Sequence, residues 1–396
     1  MSNYSMRVLA LTPSFFGSTG DAVNERQLLM TLAKKVGKCY IVTFIGFKQI
    51  FTKRRAELKI AIPKNILLIP LPLPHVHILV TYLVMAAVSC FISIIVLMLN
   101  VLKKIDLVYI RTSPLSIGFL TFHSLARKTI VKIPAIIEDE IPDRGITKFL
   151  IEKIIPFMDR LVLSKARRVA VNSKSLYDAL VRRRRFKHKD RPLETPPGVN
   201  LNLIQKIKSQ TDNTFLQNVI KVGYVGSLSW WQGTDILVQA VALLKKRLSN
   251  LKLVIIGDGE LRLLIEEMCK ALDITHEITG FLPHEEALRR FAMLDVLVLP
   301  SKKMTTTESN IPIKVIEAWA LGIPVILTKR RVFLEYGIRG FEDVIYCEPQ
   351  PLSIANAILT LLNDPSLRKK LKINGFKLAT RFDYDKIVQN LLRAIE

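Results

Sequence analysis

With 396 residues, 49% hydrophobic content and 17 glycines, the chain is too long for one ordinary core and too apolar to be disordered or fibrous, which leaves two α/β domains as the expected layout. A formal net charge of +24 calls for an anionic partner: an acidic leaflet, phosphorylated substrates or nucleic acid. Cys39, Cys90, Cys269 and Cys347 are scattered among apolar neighbours without any CxxC or Cys/His cluster, which argues against a disulfide framework or a structural metal and for buried, reduced thiols.

In chain order, residues 6–13 read as a buried strand, 14–21 as a loop and 22–35 as a helix. The apolar run after Arg7 is too short for the core of a signal peptide, so nothing points to secretion. Residues 39–47, 66–70, 106–111 and 134–137 are further strand candidates with helices between most of them. Another strand, at 167–173, leads into a helix ending in the basic run 182–185, and 187–197 looks like a linker. The pattern then restarts, with strands at 219–225, 251–256, 295–300 and 324–327, a helix at 233–248, and a largely helical tail at 352–396. Strands separated by helices imply βαβ units and parallel sheets. The expected architecture is therefore α/β, with two Rossmann-like domains facing a cleft and C-terminal helices. Its divisions are 1–198, 199–378, and a helix at 379–396 crossing back to the first domain.

Ligands of such sheets sit beyond the carboxyl ends of the strands, and three loops there stand out. Phe16-Gly17-Ser18-Thr19-Gly20 places glycines before a helix N-terminus, a form suited either to a phosphate or to a tight turn. The turn 225–235, with Gly226, Ser227, Gln232 and Gly233, has the same form. The segment 305–324 puts Pro312 at the start of a helix, with Lys314 and Glu317 three residues apart on one face. A lysine there can neutralise a diphosphate and a glutamate can accept from ribose hydroxyls, although a surface Lys–Glu pair has the same spacing. In the first half, Glu138, Asp139 and Glu140 follow a strand and either position an acceptor hydroxyl or form a solvated loop. Arg111 lies at a comparable strand end, placed to touch an acceptor phosphate. No Walker A sequence occurs.

No Asp, Glu, Lys or Arg occurs between Lys64 and Lys103. As a helix, the apolar stretch at about 76–102 has a core of about 33 Å, long enough to span a membrane. A single crossing would split one sheet across the bilayer. The expectation is a helix dipping into one leaflet, with Lys103, Lys104, Arg127, Lys128, Lys132 and Lys148 meeting anionic headgroups; the alternatives are a buried helix or a spanning one. The densest basic run, at 182–189, lacks the interleaved aromatics of a nucleic-acid motif, and no nucleic-acid partner is expected.

Four segments of the second half resemble family-4 glycosyltransferases: GSLSWWQG at 226–233, VIIGDGELRLLIEEM at 254–268, ITGFLPHEEALRRFAMLDVLVLPS at 278–301 and IPIKVIEAWALGIPVI at 311–326. Upstream, VAVNSKSLYDAL and PPGVN at 196–200 resemble the family's segments beside the linker. The resemblance implies a GT-B fold, a nucleoside-diphosphate sugar as substrate, no cofactor or metal, and a retaining mechanism. It implies donor contacts from Gly17, Gly20, Gly226, Ser227, Gln232, Gly257, Phe281, Ser309, Asn310, Ile311, Lys314 and Glu317. Acceptor contacts fall to Arg111, Glu138 and Asp139, and catalytic roles to Asp139, Lys314 and Glu317. Ser227 and Gln232 stand where the family usually carries Arg and Lys, and Ser309 stands where it carries a glutamate, with Glu308 one step out of register. The expected function is transfer of a sugar to a lipid-linked or glycan acceptor, by a protein held peripherally or monotopically on the cytoplasmic face of the cell membrane. Its alternatives are another GT-B activity (a nucleotide-sugar epimerase or inverting transferase) or a catalytically weak membrane-bound homologue acting as a binding module.

Overall fold

A computed structural model describes residues 3–13, 15–17, 19–46, 62–73, 78–101, 105–112, 114–136, 145–184, 191–211, 219–302 and 308–394. The chain divides into two compact units: residues 1–17, 21–196 and 387–396 in one, and 18–20 and 197–386 in the other.

The first unit runs β1 (Asn3–Thr12), α1 (Gly20–Lys35), β2 (Val36–Gly46), β3 (Ile66–Leu73), α2 (Ile78–Val101), β4 (Leu107–Arg111), the short helices α3 (Ile117–Thr121) and α4 (His123–Ala126), β5 (Thr129–Ile133), α5 (Gly145–Lys165), β6 (Arg168–Val171), α6 (Lys174–Arg184) and β7 (Leu193–Glu194). Its strands form one parallel sheet in the order β3-β2-β1-β4-β5-β6-β7, with Leu9 of β1 in register with Tyr40 on one side and Val108 on the other. Central strands are buried on both faces, so β4 and β5 are covered at every position. Edge strand β3 carries Pro70 and Pro72 and exposes Leu67 and Ile69, as an edge allows, since proline cannot donate to a second ladder. The strand expected at 134–137 forms at Thr129–Ile133 instead. The β-branched run TIVKI is buried despite Lys132, which masked its strand pattern in the sequence.

The second unit runs α7 (Leu201–Thr211), β8 (Ile220–Val225), α8 (Thr234–Lys245), β9 (Leu251–Ile256), α9 (Arg262–Ala271), β10 (His276–Ile278), α10 (His284–Phe291), β11 (Val296–Leu299), α11 (Ile313–Leu321), β12 (Val325–Thr328), α12 (Arg331–Glu335), β13 (Ile345–Cys347), α13 (Pro351–Asn363) and α14 (Pro365–Ala379). Its parallel sheet has the order β10-β9-β8-β11-β12-β13. Strands β11 and β12, reading VLVL and VILT, are wholly buried. Helix α15 (Tyr384–Arg393) follows, and residues 387–396 group with the first unit. In each sheet the chain winds outward from one central strand and then returns to its other side. The switch points therefore lie between β1 and β4 and between β8 and β11, where an open α/β sheet leaves its ligand crevice.

Cys39, Cys269 and Cys347 are buried, but Cys90 is exposed on α2, against the expectation of four buried thiols. Around it the helix is inverted. Its packed stripe holds Met85, Ser89, Ser93 and Val96, while Leu83, Phe91, Ile94, Ile95 and Met98 are exposed. Ser89 accounts for part of this: its Oγ donates to the Leu115 carbonyl at 2.6 Å and accepts from the Gly118 N–H at 3.0 Å.

Candidate functional site

At the carboxyl end of β8 the chain turns through Gly226, whose φ is +128°, a region open to glycine but strained for other residues. A Cβ there would stand 2.5 Å from Lys314 Nζ. Beside it Gly257, with φ +148°, lets the turn after β9 approach so closely that a Cβ would lie 2.0 Å from the Gly226 carbonyl oxygen. The Gly226 N–H donates to the Ile256 carbonyl at 2.9 Å. Two glycines thus bring two strand ends together, with an ammonium group between the turn and α11.

Lys314 leaves the first turn of α11, half-buried, and its Nζ donates to the Tyr224 hydroxyl at 3.3 Å and lies 4.6 Å from the ring centroid. The Tyr224 hydroxyl in turn donates to the Ser227 carbonyl at 2.7 Å, which fixes the turn. Burial, then the nearby Arg330, pull the Lys314 pKa down to about 7 against a weaker upward pull from Glu317. Arg330, at the end of β12, is itself buried, which brings its pKa down to about 10, with Glu308 and Tyr224 opposing. Both cations are held where desolvation disfavours their charge.

Glu317 is buried on α11, and its Oε1 lies 2.7 Å from His284 Nε2 at the start of α10. Pro312 is the N-cap residue of α11 rather than its first helical residue, and it offers no side-chain cap. That end of the helix favours negative charge. Ile311 is 2% exposed, so its side chain belongs to the core and only its backbone can face a ligand. Glu308 anchors the next helix instead. Its Oε2 accepts from the Arg331 N–H at 2.8 Å and its carbonyl from the Val332 N–H at 3.0 Å, which holds the start of α12. Ser309 and Asn310 lie between that anchor and α11. Gln232, in the short turn before α8, is 3.4 Å from the Ser301 hydroxyl at the end of β11. Phe281 is 55% exposed just beyond β10, and Trp230 is 51% exposed in the turn after β8. Among the described residues no group of three His, Cys, Asp or Glu side chains could hold a metal ion.

In the first unit, Arg111 ends β4 but turns inward. At 3% exposure it pairs with Asp21 and, at 3.7 Å, with the fully buried Glu25. Against the desolvation of burial, those carboxylates push its pKa up. Its charge is therefore committed to α1 rather than presented to an acceptor phosphate. The next residue, Thr112, has φ +82°, costly for a β-branched side chain and the kind of strain that collects at functional turns. Arg26 donates to the carbonyls of Phe15 and Gly17 at 3.0 Å each and so shapes the loop after β1. Gly20 opens α1. Glu138 and Asp139 lie outside the described residues. Lys132, expected at headgroups, is 1% exposed and donates to the Thr195 carbonyl at 3.0 Å. Burial brings its pKa down to about 8.

Three residues escaped the sequence reading: Tyr224, His284 and Arg330. Tyr224 and His284 meet their partners only through the fold. Arg330 had a local signal, since the basic run 329–331 directly follows a strand end.

The second unit is thus a parallel-sheet α/β domain with a glycine-lined strand edge that carries the Lys314 ammonium. Residues 205–378 match the family model described as Glycosyl transferases group 1. The chain is 27% identical over 195 residues to an uncharacterized glycosyltransferase of Methanocaldococcus jannaschii, covering 48% of each chain. It is 28% identical over 185 residues to the capsular polysaccharide biosynthesis glycosyltransferase CapM of Staphylococcus aureus, covering 44% of this chain and 47% of that one. It spans about half the length of the curated relatives it matches. The fold is similar to that of Anabaena HepE, solved in complex with UDP-glucose, with a TM-score of 0.67 at 16% identity over 98% of this chain and 99% of that one. Such neighbours give the chain the GT-B fold.

Proposed function

We propose that this chain is a glycosyltransferase that takes a sugar from a nucleoside-diphosphate donor and passes it, with retention of configuration, to a lipid-linked or glycan acceptor at a cytoplasmic membrane surface. The observation that carries the reading is the half-buried Lys314, whose Nζ lies 2.5 Å from where a Gly226 Cβ would stand, at the carboxyl end of β8 within the residues that match the group 1 family model. A positive charge kept desolvated in a strand-end crevice is suited to a leaving diphosphate, whose growing charge it stabilises without reorganising. Binding of UDP-glucose by HepE, which shares this fold, supports a nucleotide sugar as donor. Glu317 is placed to accept from ribose hydroxyls, Phe281 offers an exposed aromatic face for a base, and the acidic turn with Asp139 is assigned to the acceptor.

The membrane half of the reading rests on α2. A helix that packs two serines inward and exposes Leu83, Phe91, Ile94, Ile95 and Met98 has the polarity of a helix whose outer face meets lipid. It is long and apolar enough to cross a membrane, yet β3 before it and β4 after it belong to one sheet, which favours insertion into a single leaflet. Phe157 and Leu161 of α5 are exposed as well, and Ile155 and Met158 of the same helix pack on Tyr82 and Ala86 of α2, which widens the surface.

The test is incubation of purified protein with a panel of nucleotide sugars while released nucleoside diphosphate is followed. Turnover dependent on Lys314 and Glu317 is expected. Full turnover by both Lys314→Ala and Glu317→Ala would remove this site assignment, and no turnover with any donor would favour the binding-module alternative.

A further inference from the structure

Helix α14 buries Leu367, Leu371, Gly375 and Leu378, a stripe at helical spacing, and turns the rest of its surface outward. The close approach that fixes this orientation is at Gly375, where a Cβ would stand 2.7 Å from the Trp319 ring of α11. The outward face carries one sign of charge. Residues 365–382 include Arg368, Lys369, Lys370, Lys372, Lys377 and Arg381 but no Asp or Glu. Asp364, just before them, is used as the helix cap and accepts from the Leu367 N–H at 2.9 Å. Among the described residues no carboxylate pairs with Lys369, Lys370, Lys372 or Lys377. Exposed apolar side chains, Ile373 and Phe376, stand among these lysines, and Lys208 of α7 holds its ammonium 5.8 Å from the Phe376 ring centroid. The turn before β13 is tied to the same helix, since the Asn374 amide donates to the Glu342 carbonyl at 2.9 Å. That turn exposes Phe341 at φ +57°, a conformation uncommon for a bulky side chain. Its own carboxylates are engaged: Glu342 pairs with Arg339, and Asp343 accepts from the Arg339 N–H at 2.8 Å.

We propose that α14 and the turn before β13 form a docking surface for an anionic lipid leaflet, through which the second unit holds the membrane separately from α2 of the first unit. The lysine ammoniums meet lipid phosphates, and Ile373, Phe376 and Phe341 enter the boundary between headgroups and acyl chains. A soluble polyanion would engage the lysines and leave these apolar tips in water, whereas an interface takes up both. The net charge of +24 draws the chain toward the same leaflet. The surface extends the membrane reading of α2 to the second unit but rests on residues of its own, and the donor site has no part in it.

The test is flotation of the full chain with vesicles of phosphatidylcholine alone and of equimolar phosphatidylcholine and phosphatidylglycerol, across a range of lipid and salt concentrations. Wild-type protein is expected to partition more strongly onto the anionic vesicles. Lys369→Gln, Lys372→Gln and Lys377→Gln together are expected to weaken that partition by roughly tenfold or more at low salt. The difference should shrink as salt rises, with donor hydrolysis in solution unchanged. Phe341→Ser with Phe376→Ser, all lysines kept, should weaken anionic-vesicle binding by roughly fivefold and leave binding of polyglutamate as in wild type. All five positions are exposed, so the variants keep the core intact. Partition within twofold of wild type by the lysine variant overturns the proposal and leaves the α2 reading standing, and full vesicle binding by the phenylalanine variant does the same. Partition lost with the lysines yet indifferent to serine at Phe91, Ile94 and Met98 keeps this surface and removes α2. A lysine variant that loses polyglutamate but keeps the vesicles assigns the surface to an acidic protein and overturns the proposal.

Discussion

Lys314 carries a cost that a phosphate-binding role explains. With its pKa near 7 in the folded chain against the usual 10.5, it binds fewer protons folded than unfolded between those values. Stability attributable to it therefore rises as pH climbs from about 7 to 10.5, and below 7 the full penalty of a buried charge is present. Lys314→Met is accordingly expected to stabilise the protein at pH 6, on the order of 2 kcal/mol, and by much less at pH 10, while abolishing donor turnover. Thermal melts at the two pH values check the sign. The same chemistry predicts that an anion arriving beside Lys314 raises its pKa, so diphosphate binding near pH 8 should take up protons. Calorimetry in buffers of different ionisation enthalpy would show this, and binding without proton exchange would separate Lys314 from the phosphate. Gly257→Ala makes a steric prediction: with φ +148° and a Cβ 2.0 Å from the Gly226 carbonyl, it should cost about 2 kcal/mol or more in a melt.

Helix α2 shows how far a hydrophobicity pattern reaches. Its composition marks it as apolar throughout, which fits either a buried helix or a lipid-facing one. Only packing distinguishes the faces: Ser89 is fixed by Leu115 and Gly118, while Phe91 is 68% exposed and Met98 65%. Replacing Phe91, Ile94 and Met98 by serine should release the protein from anionic vesicles in a flotation assay, with donor hydrolysis in solution unchanged. Retention of full vesicle binding would remove α2 from the membrane surface. Gly118→Ala tests the packed side, since its Cβ would fall 2.4 Å from the Ser89 carbonyl; the expected outcome is destabilisation of the first unit by about 1–3 kcal/mol. The basic residues expected beside this helix fared differently from one another. Lys132 lies in the core of β5 because a lysine in a β-branched run follows its strand inward when a carbonyl, here that of Thr195, can accept its hydrogen bond.

Across the whole chain, the last residues belong with the first unit although they follow the second in sequence. Ile387, Val388, Leu391 and Leu392 are buried, so truncation after Lys386 exposes apolar surface and should lower the melting temperature of the first unit. Limited proteolysis of the truncated chain would then cut that unit before the second.

Much of this was legible in the residues. Alternating βα patterns were enough for two parallel sheets, because strands buried on both faces read as unbroken apolar runs such as VLVL and VILT. Glycine-bounded turns marked the strand ends, since close backbone approach leaves no room for a Cβ. The order of Gly226, Gly257, Lys314 and Glu317 along the chain resembled one enzyme family. Tertiary structure decided which charges meet. Arg111 and Asp21 are 90 residues apart, as are Lys314 and Tyr224, and His284 lies 33 residues from Glu317. Local propensity cannot encode such pairings; they exist because parallel strands bring their carboxyl ends to one edge. Packing at that edge, against Gly226 and Tyr224, is what turns an ordinary lysine into a candidate phosphate ligand.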